Sequence, residues 1–260
     1  MKRGLLIGAL LLMAGMQFTF GQVKTGIVEY EEVIKIEIKL EGEMAAMMRD
    51  MPKERRANKV LYFNEEESLF TKSEKEVEQD MSGFSGEGRG RGMRMRMGGP
   101  SSIVYTDLDN KEVVEQREFM TRMFLITTDI PETAWKITGK QKLILDYPCM
   151  EATTEDTAGV ITQVWFTPLI PVQSGPSKFG NLPGLVLEAN VNDSSILITA
   201  TSINTEVPDK EILKKPKEGK KVTQEEFDKI VMEKLEEMGV QPGGPGGHGT
   251  GGNIMIRIHQ

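Results

Sequence analysis

Few of the residue types that do covalent or metal chemistry are present, and their placement narrows what this chain can do. Both histidines, His248 and His259, lie near the C-terminal end, the first inside a Gly- and Pro-rich run. A base without rigid support is poorly preorganised, so no Ser–His or Cys–His nucleophile pair is expected. The single cysteine, Cys149, sits between Pro148 and Met150 in an apolar context and reads as a buried thiol packed as a small hydrophobe. Pairing with another chain, or service as a metal thiolate, is the other reading of a lone cysteine, and no internal disulfide is available. The Gly-rich runs fall among Arg or Pro residues rather than between a strand and a helix, which excludes a phosphate-cradling loop. Glu151, Glu155 and Asp156 are close in sequence, but acidic residues are frequent throughout, so they single out no acid–base pair. The expectation is a non-catalytic protein with no cofactor.

A soft-metal reading stands as the alternative. Met93, Met95 and Met97 alternate with Arg94 and Arg96, and thioethers at period two can converge on Cu(I) in an extended chain. His248, Met255 and His259 add further donors. Against this, Arg89, Arg91, Arg94 and Arg96 repel a cation in the same loop.

A different constellation points to binding. Thr167 to Gly184 carries Pro168, Pro171, Pro176 and Pro183, with Gly175, Gly180 and Gly184 between them. Such a segment exceeds the usual loop length of about 12–15 residues, which marks it as functional or as a rim covering a sheet end. Trp165, Phe166, Pro168, Ile170, Phe179, Pro183 and Gly184 are the candidate rim residues. Within it, Gly180-Asn181-Leu182-Pro183-Gly184 combines residues that tolerate positive φ with a proline that biases Leu182 to extended backbone, so it reads as a turn delivering the strand Leu185 to Val191.

Asn181 to Val186 resembles the naming motif of the GLPGLI family of secreted bacterial envelope proteins, with Asn in place of the first Gly and Val in place of the last Ile. The resemblance extends to Trp165-Phe166-Thr167-Pro168, Ile170-Pro171, Gly175-Pro176 and Phe179-Gly180. Upstream, Trp135-Lys136-Ile137 and Tyr147-Pro148-Cys149-Met150-Glu151-Ala152 are also similar to family blocks, and the likeness spans most of Gly26 to Ser202. It implies an exported protein and supplies no mechanism, because that family has no established activity.

The elements that position these residues read mainly at period two. A long first strand runs from Gly26 to Leu40, with Ile34, Ile36, Ile38 and Leu40 on one side and Lys35, Glu37 and Lys39 on the other. Further strands are expected at Val60 to Phe63, Ser68 to Thr71, Ser101 to Thr106, Lys111 to Arg117, Thr121 to Thr127, Lys142 to Leu145, Cys149 to Glu155, Val160 to Phe166 and Ile196 to Ser202. Their short connections imply antiparallel pairing, since parallel strands need crossovers of about a dozen residues or more. Met44, Met47, Met48 and Met51 fall on one face of a short helix limited by Pro52. Thr223 to Glu226 is a capping box opening a second, amphipathic helix with Phe227, Ile230, Val231, Leu235 and Met238 on its apolar stripe, stopped by Gly239. The fold class is therefore α+β: a mainly antiparallel, curved meander with a C-terminal amphipathic helix.

Segments divide accordingly. Residues 1–21, with Lys2, Arg3 and the apolar run Leu5 to Met16, read as a secretory signal peptide, too short in its apolar core for the roughly 17–25 residues of a membrane span. Residues 22–206 form the β domain, interrupted by an Arg-, Gly- and Met-rich loop at 82–100. Residues 207–240 carry the helical segment, 241–252 a Gly/Pro linker, and 253–260 a final strand alternating Ile254, Ile256 and Ile258. Loss of Lys2 and Arg3 takes the net charge from −7 to −9, which disfavours nucleic acid and anionic bilayers as partners. By analogy with carriers that hold an acyl chain in a curved sheet, the expected role is a periplasmic or outer-membrane-associated binding or envelope-assembly protein, with an apolar ligand or a protein partner and no transmembrane segment after signal removal.

Overall fold

The computed structural model describes residues 23–35, 54–73, 102–157 and 159–237. The proposed signal peptide, the Met44–Met51 helix, the 82–100 loop, the Gly/Pro linker and the last strand lie outside the described residues. So do Met93, Met95, Met97, His248 and His259, on which the copper reading draws.

Twelve strands form one sheet: β1 (Gly26–Lys35), β2 (Glu54–Phe63), β3 (Glu67–Lys72), β4 (Ser102–Asp107), β5 (Glu112–Phe119), β6 (Arg122–Asp129), β7 (Lys136–Ile144), β8 (Tyr147–Glu155), β9 (Ile161–Thr167), β10 (Leu185–Val191), β11 (Ile196–Asn204) and β12 (Lys220–Val222). The single helix among the described residues is α1 (Gln224–Glu237). The spatial order is β12-β6-β5-β4-β3-β2-β1-β11-β10-β9-β8-β7. Two meanders, β1 to β6 and β7 to β11, are thus joined by antiparallel pairing of β1 with β11, Tyr30 opposite Ala200 and Glu32 opposite Ile198.

This order forces the sheet to curl. β6 and β7 are ten strand positions apart, roughly 48 Å across a flat sheet. Only Ile130 to Trp135 connects them, a stretch that spans about 25 Å at most when fully extended. The two halves must therefore face one another. Consistent with this, Ser68 of β3 shares a 2.7 Å hydrogen bond with Ser174 of the β9–β10 loop, and the Tyr30 hydroxyl donates across the core to the Val186 carbonyl at 2.7 Å. Tyr30, Phe63, Phe166, Leu185 and Leu187 are among the fully buried side chains of the interior.

The sheet is mainly antiparallel, as expected; among the described strands β12 alone pairs in parallel, with β6, Val222 opposite Ile126. Two expectations are corrected in detail. Thr121 and Leu145 belong to turns rather than strands: Met120 and Thr121 have φ of 48° and 66°, Leu145 and Asp146 of 49° and 66°. Both pairs are two-residue hairpin turns with positive φ at each position, a geometry that follows the strand twist. β7 starts at Lys136, well before Lys142, because an irregularity between Ile137 and Gln141 breaks its alternation.

Helix α1 begins as its capping box requires: the Glu226 amide donates to Thr223 Oγ1 at 3.1 Å and the Thr223 amide to Glu226 Oε2 at 3.0 Å. Phe227 and Val231 are buried while Glu225, Glu226, Glu233 and Glu236 are exposed. Phe227 meets Phe124 edge-on at 5.3 Å and Phe119 at 6.0 Å, so the helix docks beside β6 and β12. Among the described residues no helix is long and apolar enough to cross a membrane.

Candidate ligand groove

Curling leaves a groove of about 490 Å³ between the two halves of the sheet. One wall comes from β5 and β6 through Glu115, Arg117, Thr128 and Asp129; the other comes from β8, β9, β10 and β11 through Thr154, Thr162, Val191, Ile196 and Ile198. The β6–β7 crossover, too short to lie anywhere else, contributes Pro131, Thr133 and Trp135, and the β9–β10 loop contributes Ser177, Lys178 and Phe179. Trp135 is half-buried, and its indole N–H donates to the Gly180 carbonyl at 3.0 Å, which ties the crossover to the loop.

The floor is charged and compensated. Glu115 is only 2% exposed. Its Oε1 accepts from Arg117 Nε at 2.7 Å and is also paired with Arg117 Nη2. Lys178 Nζ lies 2.9 Å from Oε2 and closes the other side of the carboxylate with an ion pair. The Arg117 guanidinium in turn sits 5.3 Å from the Phe227 ring centre. Nearby, Glu32 is paired with Arg55 at 3.6 Å and Lys59 at 3.8 Å. A wider, shallower groove of about 1060 Å³ opens on the other side of the crossover, sharing Asp129, Pro131 and Thr133 and carrying Glu65, Asp109, Glu132 and Lys111.

Of the seven rim residues expected from sequence, Phe179 lines the inner groove. Phe166 and Ile170 are fully buried. Trp165 is 8% exposed and lies under Lys142, whose ammonium is 4.4 Å from its ring centre and 2.7 Å from Glu188. Pro168 and Pro183 are exposed. Gly184 is buried at a close backbone approach: a Cβ there would lie 2.2 Å from the Thr167 carbonyl oxygen. The loop is built by backbone bonds, with the amides of Asn181, Leu185 and Val186 donating to the carbonyls of Gln173, Ile170 and Ser174. Glu115, Arg117, Thr128 and Trp135 were not singled out as site residues from sequence. Glu115 shares its face of β5 with Val113 and Arg117, so alternation alone carries no signal for it.

A second buried carboxylate stabilises the far edge. Glu151, 1% exposed, pairs across the sheet with Trp165, and the irregular stretch of β7 wraps over it. Burial raises its pKa, but hydrogen bonds from Thr138, Lys140 and Gln163, with the Lys140 charge, outweigh that and leave it below the ordinary carboxylate value. Cys149, buried opposite Lys142, is pushed up to about 11, chiefly by burial, so at neutral pH it is a thiol with little nucleophilic character. Among the described residues no three His, Cys, Asp or Glu side chains converge as a metal site.

Residues 94–230, more than half of the chain, match the family model described as the N-terminal domain of N-glycanase peptide, PNGase F-II type. The chain belongs to that N-terminal domain family. Two solved structures of PNGF-II, in space groups C2 and P21, superpose with a TM-score of 0.52 at 18% and 17% identity, over 80% of this chain. At that identity the likeness shows the fold. The chain spans about a third of the length of those structures, 32% and 33%. No curated protein matches the sequence.

Proposed function

We propose that this chain is a non-catalytic binding domain of an exported protein, and that its ligand occupies the groove between the two halves of the sheet. The observation that carries this reading is the crossover. A six-residue link between opposite ends of the sheet order holds two walls of side chains facing each other across a concave space, within the usual range of about 300–1,000 Å³ for small-ligand sites. Support for a role beside a glycan-processing activity comes from the family, which is named for the N-terminal domain of an N-glycanase. Export is proposed from the segment at 1–21 and from the resemblance of Asn181 to Val186 to the GLPGLI motif. The groove's charges are arranged as neighbouring ion pairs rather than as a nucleophile with an oriented base, which favours holding over cleaving. The apolar stripe proposed for α1 serves to close the β6 end of the domain.

Native mass spectrometry of the chain purified from its own envelope tests the binding role, with a co-purifying small ligand or partner as the expected result. Incubation with a glycopeptide, followed by mass analysis, tests the non-catalytic part: released glycan would contradict it.

A further inference from the structure

The groove lining combines features that together specify a class of ligand. Five half-buried hydroxyl side chains, Thr128, Thr133, Thr154, Thr162 and Ser177, come from five different segments of the chain and converge on one space. Two aromatic rings, Trp135 and Phe179, border it. Beneath them, the buried Glu115 carboxylate is held between Arg117 and Lys178. Each hydroxyl can both donate and accept, so such a lining is matched by a ligand that carries hydroxyls of its own.

The charge pattern narrows the class further. Glu115 is compensated by Arg117 and Lys178, and Glu32 by Arg55 and Lys59. The other charged lining residues, Asp129 and Asp156, are acidic, so an anionic ligand would gain a counter-charge only by breaking one of these pairs and leaving a carboxylate buried and uncompensated. An acyl chain would exclude water from the hydroxyls without replacing its hydrogen bonds. A neutral ligand with many hydroxyl donors and apolar C–H faces satisfies both demands.

Deepening the binding reading on which it rests, we propose that this groove is a site for a neutral saccharide, whose ring packs on Trp135 and Phe179 while its hydroxyls exchange hydrogen bonds with the threonines. Trp135 is suited to the first task because its N–H bond to Gly180 holds the indole at the groove wall.

The test is calorimetric titration of the full chain with maltotriose and with chitotriose, alongside the apolar probe N-phenyl-1-naphthylamine. At least one trisaccharide is expected to bind saturably. Trp135→Ala should weaken that binding about tenfold. This variant, confirmed as folded by its melting transition, is the deciding one. Saccharide binding unchanged in Trp135→Ala overturns the proposal. If neither trisaccharide binds but the naphthylamine does, and Trp135→Ala removes it, the saccharide assignment falls while the groove remains a binding site. If no probe binds, both readings fall.

Discussion

Lys178, on the loop between β9 and β10, lies 2.9 Å from Glu115 on β5, although these segments belong to opposite meanders. The contact exists because the sheet curls, and it fixes the loop over the concave face. Removing the cation while leaving the carboxylate buried should therefore be costly. Lys178→Met is expected to destabilise the fold by about 1–3 kcal/mol, with Glu115 then held by Arg117 alone. The double change Lys178→Met with Glu115→Gln should recover part of that loss, and urea titration of the three variants measures it. Equal midpoints for Lys178→Met and the parent would show that the pair contributes nothing.

Gly184 offers a steric prediction. Any side chain there would meet the Thr167 carbonyl and the Pro168 Cα, at 2.2 Å and 3.0 Å from its Cβ, and all of these belong to backbone that cannot rotate away. Gly184→Val should cost more than about 2 kcal/mol by overpacking and strain. Asn181 has φ of 59°, which glycine adopts freely, so Asn181→Gly should be near neutral. Thermal melts of the two variants check the contrast.

The helix dock depends on one ring. Phe227 is 1% exposed and touches Phe119, Phe124 and the Arg117 guanidinium. Phe227→Ala should cost about 3–5 kcal/mol, and Thr223→Ala about 1 kcal/mol through loss of the cap. Denaturant unfolding measures both; a larger effect of Thr223→Ala than of Phe227→Ala would contradict the packing.

Cys149 and Glu151 each contribute to the pH dependence of stability, beside Tyr30, whose hydroxyl is also pushed up by burial. Cys149 is raised from 9.0 to about 11 in the fold, so the folded state holds its proton more tightly than the unfolded state. Its contribution is neutral below pH 9, and stability falls as pH rises from about 9 to 11. Glu151 is lowered, so it stabilises above the unfolded carboxyl value and that contribution is lost as pH falls through the folded one. Cys149→Ala should flatten the alkaline limb of a stability–pH profile, and Glu151→Gln the acid limb. Unchanged limbs in both variants would show that other groups govern them.

The sequence made most of the strands legible because alternation survives wherever one face is buried. Val28 and Tyr30 on β1, and Leu185 to Val191 as β10, follow from that pattern. Residues with an unusual backbone hid the rest. Met120-Thr121 and Leu145-Asp146 make positive-φ turns without the Asn-Gly or Asp-Gly signature, and the irregular stretch of β7 over Glu151 erased its period. The groove was less legible still. Trp165 and Phe166 looked like rim residues because they are aromatic and precede prolines, yet cross-strand packing buries them. Trp135, Glu115 and Lys178 are separated by tens of residues, and only the short β6–β7 crossover, a property of topology rather than of any local motif, brings them to one space.

Titration followed by the indole N–H resonances tests the account most directly. The chain has two tryptophans, so it gives two such signals, one from Trp135 at the groove wall and one from Trp165 beneath Lys142. The account predicts that a binding trisaccharide shifts the Trp135 signal saturably, along with the amides of Thr128, Thr133 and Phe179, and leaves Trp165 in place. A saturable shift confined to Trp165, or to residues of the outer groove such as Asp109 and Lys111, would contradict it.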